Sequence, residues 1–149
     1  MTPVDHTGGC QCGRIRYTVA LDHDEAYLCH CRMCQRATGG FVATFVQVPT
    51  RAVAWVTEPD WYASSPIARR PFCSACGTPL GFMFMQDSGN MDLTLGSFDR
   101  PEAFRPVAHA GCESMHEAWL DTRDLPRHFS ATTQSVASRW QAAGLEVPE

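Results

Sequence analysis

Short stretches of this chain alternate apolar with polar residues, and that period of two predicts strands. Ile15, Tyr17 and Val19 alternate with Arg14, Arg16 and Thr18, the pattern of a half-buried strand. If the segment is extended backwards, Cys10 and Cys12 leave the backbone on one side, because positions two apart share a face. Residues 21–25 are mostly polar and predict a turn. Ala26 to Cys31 predicts a second strand, with Cys29 and Cys31 on one side and His30 on the other. Phe41 to Val48 is apolar on both faces, as a central strand would be. Pro49-Thr50 breaks it, Arg51 to Val56 forms another short strand, and residues 57–60 signal a turn. Leu80 to Gln86 and Met91 to Leu95 predict two strands joined by a turn at Asp87-Ser88-Gly89-Asn90. Met83 and Met85 share a strand face as core filler.

Elsewhere the pattern is weaker. Gln35 to Gly40 looks like a polar connector. Trp61 and Tyr62 belong to the core or to a pocket wall, and Arg69-Arg70 fits a solvated strand or loop. Residues 96–128 show few regular periods. Near the end, Ser130 can cap a helix from Ala131 to Ala143, with Val136 and Trp140 one turn apart and Gly144 as its stop. The fold class expected is mainly β with a C-terminal helix. The 149 residues suit one domain spanning 1–149 with a core of its own.

Composition narrows the chemistry. No apolar stretch is long enough to cross a bilayer. Met1 to Gly9 has neither the basic nor the apolar segment of a secretory signal, so a cytoplasmic address is expected. In that reducing setting the eight cysteines are expected to bind metal rather than form disulfides. The net charge is −4 and all twelve cationic residues are Arg. Without lysine, a Schiff base, a pyridoxal-phosphate anchor and a P-loop are excluded. Mild acidity also argues against nucleic acid as a partner.

Seven of the eight cysteines fall in clusters: Cys10/Cys12, Cys29/Cys31/Cys34 and Cys73/Cys76. Cys73-Ser74-Ala75-Cys76-Gly77 has the form of a zinc knuckle, whereas Thr78-Pro79 cuts short the helix that a redox C-x-x-C requires. The simplest partition makes Cys10, Cys12, Cys73 and Cys76 a closed structural zinc site. Cys29, Cys31 and Cys34 then form a three-thiolate site with an open position. Thiolate ligands favour zinc. Two alternatives stand beside this: a fourth ligand from Cys112, His109 or His116 would make the second site structural too, leaving a non-catalytic binding module, or the three thiols hold no metal. His30 faces away and is expected to be a hydrogen-bonded histidine. With His109 and His116 it is an unranked candidate acid or base. An open three-thiolate zinc suits a soft thiol ligand better than water, so the chemistry expected is making or breaking a C–S bond at a carbonyl carbon.

Three segments carry a family resemblance. They are Gly8-Gly9-Cys10-Gln11-Cys12-Gly13-Arg14-Ile15-Arg16-Tyr17, Cys29-His30-Cys31-Arg32-Met33-Cys34-Gln35-Arg36-Ala37-Thr38-Gly39 and Phe72-Cys73-Ser74-Ala75-Cys76-Gly77-Thr78. In this order they resemble the glutathione-dependent formaldehyde-activating enzyme family, which includes centromere protein V. Trp119-Leu120-Asp121 and Leu125-Pro126-Arg127-His128-Phe129 are similar to its C-terminal pattern, so the likeness spans roughly residues 6–129. It implies a β-tent fold of twisted antiparallel strands and the same four-plus-three division of the cysteines between a structural and a catalytic zinc. It also implies a carbon–sulfur lyase that adds glutathione to formaldehyde, giving S-(hydroxymethyl)glutathione. The partner implied is a small thiol such as glutathione, or its aldehyde adduct.

Overall fold

The computed structural model describes residues 2–86 and 89–148. The turn residues Asp87 and Ser88 lie outside the described residues. The chain divides into two compact units, Met1–His116 and Glu117–Glu149.

In the first unit, the described strands form two sheets. The smaller holds β1 (Val4–Gly9), β2 (Arg16–Leu21) and β5 (Val53–Trp55), in the order β1-β2-β5 and antiparallel throughout. The larger has seven strands: β10 (Arg105–Ala110), β3 (Glu25–Cys29), β4 (Ala43–Pro49), β9 (Asn90–Thr94), β8 (Gly81–Phe84), β7 (Ala68–Phe72) and β6 (Asp60–Ser65), in that spatial order. The β10–β3 pair is parallel and the other pairs are antiparallel. The mainly β class is as expected.

The core lies between the inward faces of the two sheets. Tyr17, Val19 and Leu21 of β2 pack with Val46 and Val48 of β4 and with Met91 and Leu93 of β9. Their alternation along β2 and β4 follows from the two-residue period of a strand. Tyr17 lies edge-on to Trp55 and Phe98, with ring centroids 5.4 and 5.6 Å apart. Its buried hydroxyl bonds Ser97 Oγ at 2.9 Å, so burying the ring leaves no orphaned polar group.

Several local expectations are corrected. Residues 10–15 are a turn between β1 and β2 rather than an extended run. Gly13 makes that turn at φ +81°, whereas Gly8 and Gly9 lie within β1. The second strand stops at Cys29, and Arg32–Thr38 form a helix, α1, where a connector was expected. The helix carries no apolar stripe, and among its residues only Cys34 and Gln35 are buried. Strand β6 begins at Asp60, within the expected turn. Strand β10 was invisible because its side chains are exposed from Arg105 to His109; the parallel ladder to β3 holds it, without an alternating pattern. Met83 fills the core but Met85 is exposed.

In the second unit, Ser130–Thr132 form a 3-10 turn and α2 spans Gln134–Ala142. The residue before α2 is Thr133, not Ser130, and its hydroxyl donates to the Phe129 carbonyl rather than capping the helix. Gly144, at φ +72°, follows its end as expected. No helix among the described residues is long and apolar enough to cross a membrane.

Candidate metal centres

Two turns from distant parts of the sequence build the four-thiol cluster. The β1–β2 turn carries Cys10 and Cys12, and the turn after β7 carries Cys73 and Cys76. Their four sulfurs lie within 4.8 Å of one another. Each turn is locally self-bonded: Gly13 N–H donates to the Cys10 carbonyl at 3.1 Å, and Gly77 N–H to the Cys73 carbonyl at 2.7 Å. A left-handed glycine follows the second thiol in both, Gly13 after Cys12 and Gly77 after Cys76, which reverses the chain without Cβ strain. The Ile15 N–H points at Cys10 Sγ, 3.2 Å away.

The sulfurs suit a tetrahedral thiophilic ion. Cys10 Sγ lies 3.5 Å from Cys12 Sγ, which lies 3.7 Å from Cys73 Sγ. A Zn–S bond of about 2.3 Å gives tetrahedral edges of about 3.8 Å. The surroundings fix the turns. Arg14 pairs with the Asp60 carboxylate, which also accepts the Ser74 N–H at 2.8 Å. The Ser74 contacts and Arg14 hold the Asp60 carboxyl below the usual carboxylate range. The hydroxyl and backbone N–H of Thr78 lower the Cys76 thiol to about 5, so this ligand is ready to ionise.

The three-thiol cluster is local in sequence. Cys29 ends β3, Cys31 precedes α1, and Cys34 sits in the first turn of α1. Their sulfurs again lie within 4.8 Å of one another. Cys31 caps the helix: its Sγ accepts the Cys34 N–H at 3.3 Å. Gln35 fastens α1 in place by donating to the carbonyls of Phe41 and Ser114 at 3.1 and 3.2 Å. Gly111 packs on the backbone of Cys31 so closely that an added Cβ would lie 2.6 Å from the Cys31 nitrogen. Burial pushes the Cys29 thiol up to about 12, so ionising all three thiols requires a compensating cation.

One such cation is Arg70 on β7. It is 4 % exposed, so the solvated role expected for it is wrong. Its guanidinium donates to Cys34 Sγ at 3.3 Å and lies over the Phe82 ring, 5.0 Å from the centroid. Sequence reasoning missed this residue. The signal was present: Ala68 and Arg70 are two apart in a strand, so Arg70 shares the inward face while Arg69 is exposed.

His30 behaves as expected. It is 1 % exposed, does not join the three thiols, and its Nε2 bonds His109 Nδ1 at 2.9 Å. Among the described residues, neither His109, His116 nor Cys112 joins the three sulfurs. Cys29, Cys31 and Cys34 instead line a cavity of about 230 Å³ with Tyr27, Phe45 and Phe82. The donor sets of both clusters fit zinc.

Comparison with known proteins agrees. The family model described as "Glutathione-dependent formaldehyde-activating enzyme" matches residues 5–114. A Schizosaccharomyces pombe protein named as an uncharacterized lyase is 29 % identical over 80 residues, covering 54 % of this chain and 58 % of that protein. The match thus takes in less than two thirds of the curated relative's length. The crystal structure of a Rhodobacter sphaeroides protein shares the fold, with a TM-score of 0.56 and 20 % identity over 70 % of this chain and 99 % of that one. With all seven clustered cysteines inside the matched residues and gathered into two thiol sites, the chain belongs to the glutathione-dependent formaldehyde-activating enzyme family.

Proposed function

We propose that this chain is a zinc-dependent enzyme of the carbon–sulfur lyase type, joining a small thiol to a carbonyl carbon and reversing that addition. Cys10, Cys12, Cys73 and Cys76 hold a structural zinc that ties the first hairpin to the turn after β7. Cys29, Cys31 and Cys34 hold a second zinc with one position left for substrate. The observation that carries this reading is the odd thiol count: three sulfurs converge on a cavity, and no fourth His, Cys, Asp or Glu among the described residues joins them. When bound, the ion supplies a Lewis acid that favours the thiolate form of a thiol.

The chain's own residues prepare the rest. Three thiolates outweigh a divalent ion by one negative charge, and Arg70 at Cys34 offsets that excess. Tyr27, Phe45 and Phe82 give the cavity a largely apolar wall, which favours an organic reactant over water. The addition forms one S–C bond, converts C=O to C–OH, and moves the thiol proton to that oxygen. With glutathione and formaldehyde the product is S-(hydroxymethyl)glutathione. Seven of the eight cysteines converge in two groups fit for metal, an arrangement that suits a reducing, cytoplasmic setting.

Exchange spectroscopy by NMR on glutathione and formaldehyde tests the reaction. Zinc-loaded protein is expected to speed interconversion of the free and adduct signals. No acceleration by a zinc-replete sample would overturn the formaldehyde version.

A further inference from the structure

The cavity beside the three thiols is larger and more apolar than a one-carbon aldehyde needs. Its volume is about 230 Å³, whereas an apolar cavity of about 150 Å³ is enough to hold benzene. Its walls come from separate strands: Tyr27 of β3, Phe45 of β4, Ala68 of β7 and Phe82 of β8. Phe45 and Ala68 are each 1 % exposed, so this wall is part of the packed sheet and is formed before any ligand arrives. The Tyr27 and Phe45 rings lie side by side, 5.6 Å between centroids. The small side chain of Ala68 leaves space that a larger residue would take. Polar groups gather where the chemistry must occur, at the sulfurs and at the Arg70 guanidinium that touches Cys34.

A charged tripeptide does not match such walls, so the cavity suits the other reactant. We infer that the carbonyl partner carries a compact apolar group, an aromatic or branched aliphatic aldehyde, whose side chain fills this cavity while its carbonyl carbon meets the thiol. This rests on the C–S chemistry proposed above. The step is the same addition: the thiol sulfur bonds the carbonyl carbon, the C=O π pair moves to oxygen, and the thiol proton follows it, with no oxidant or reductant. Formaldehyde would leave the cavity unfilled and gain nothing from its walls.

Two measurements on the zinc-loaded full chain test this. Calorimetric titration compares benzyl mercaptan with ethanethiol, which offer the same sulfur and differ in the attached group. Benzyl mercaptan is expected to bind about tenfold or more tightly, with NMR contacts from its ring to Phe45 and Phe82. Ala68→Leu is expected to abolish that preference while leaving ethanethiol within about twofold; the ring contacts in the native chain stand as the readout should that variant fail to fold. Equal affinities, no binding of benzyl mercaptan, or ring contacts elsewhere would overturn the assignment. In the exchange experiment, acceleration over the uncatalysed rate is expected to be greater for benzaldehyde than for formaldehyde, and an equal or smaller one would overturn the assignment of the cavity to the carbonyl partner. Acceleration with formaldehyde but no benzyl preference would overturn the cavity assignment and leave the chemistry standing. Benzyl preference at the cavity without acceleration of any aldehyde would overturn the chemistry and with it the assignment of the cavity to a carbonyl partner.

Discussion

Single side chains decide how much charge the three-thiol site can hold. Arg70 is buried and touches Cys34 Sγ, whereas Arg69 next to it is exposed and lies over the Trp61 ring. Outer partners of metal ligands typically affect affinity by about 10–100-fold. Arg70→Gln is therefore expected to weaken zinc binding at that site within this range, measured by competition with a chromogenic chelator. Arg69→Gln should change it less than about twofold. Equal effects would mean that Arg70 is no more than a packing residue. A second prediction concerns Asp92, buried on β9 with Oδ1 unpartnered among the described residues. Burial raises its carboxyl, with Tyr27 and Gln47 acting in the opposite direction. Above the usual carboxylate range and below that raised value, the folded chain keeps a proton that the unfolded chain has lost, so stability falls as pH rises. Asp92→Asn removes this term. Its Tm relative to the native chain is expected to climb from acid to neutral pH, and a constant difference across that range would contradict it. Asp92 was not legible from sequence, because burial of a lone charge depends on which strand lies against it; for Arg70 the only signal was its place two residues from Ala68 on one strand face.

At the scale of elements, what could be read was what repeats. Ile15, Tyr17 and Val19 announce β2, and the doubly apolar run from Phe41 announces β4, because each buries a face that every second residue must fill. α1 and β10 carried no such signal. α1 is specified by its ends, with Cys31 Sγ as cap and Gly39 in the left-handed conformation at its close. β10 is held by backbone pairing to β3. Yet both are needed by the site. α1 and the capping residue before it place two of the three thiols, and the chain leaving β10 runs through Gly111 against Cys31. At φ +62° this glycine is in the left-handed region, and any side chain would also strike backbone. Gly111→Ala is expected to cost about 2 kcal/mol or more, read by denaturant unfolding, and to lower zinc content at the three-thiol site. Full stability with full zinc content would show that the close approach is dispensable.

For the whole molecule, the cysteine arithmetic was the most legible feature, since the ligands come in short spacings that survive without knowledge of the fold. The pairing of Cys10/Cys12 with Cys73/Cys76 links positions 61 residues apart between Cys12 and Cys73, and a metal held there would act as a cross-link on the folded state. Because binding to the folded form stabilises it by mass action, chelation should proceed in two stages. The open three-thiol site is expected to lose its metal first with the fold intact. Loss from the four-thiol site should then lower Tm sharply. A single cooperative loss of both metals with unfolding would contradict two distinct roles. The central claim, that the second site is a three-sulfur centre open to a thiol, is tested most directly by counting sulfur ligands with zinc-edge X-ray absorption before and after adding a small thiol. Four plus three sulfurs over two ions predict a mean of about 3.5 per zinc, rising to about 4 with thiol bound. A mean of four at the outset, or one that does not change at saturating thiol, would contradict it.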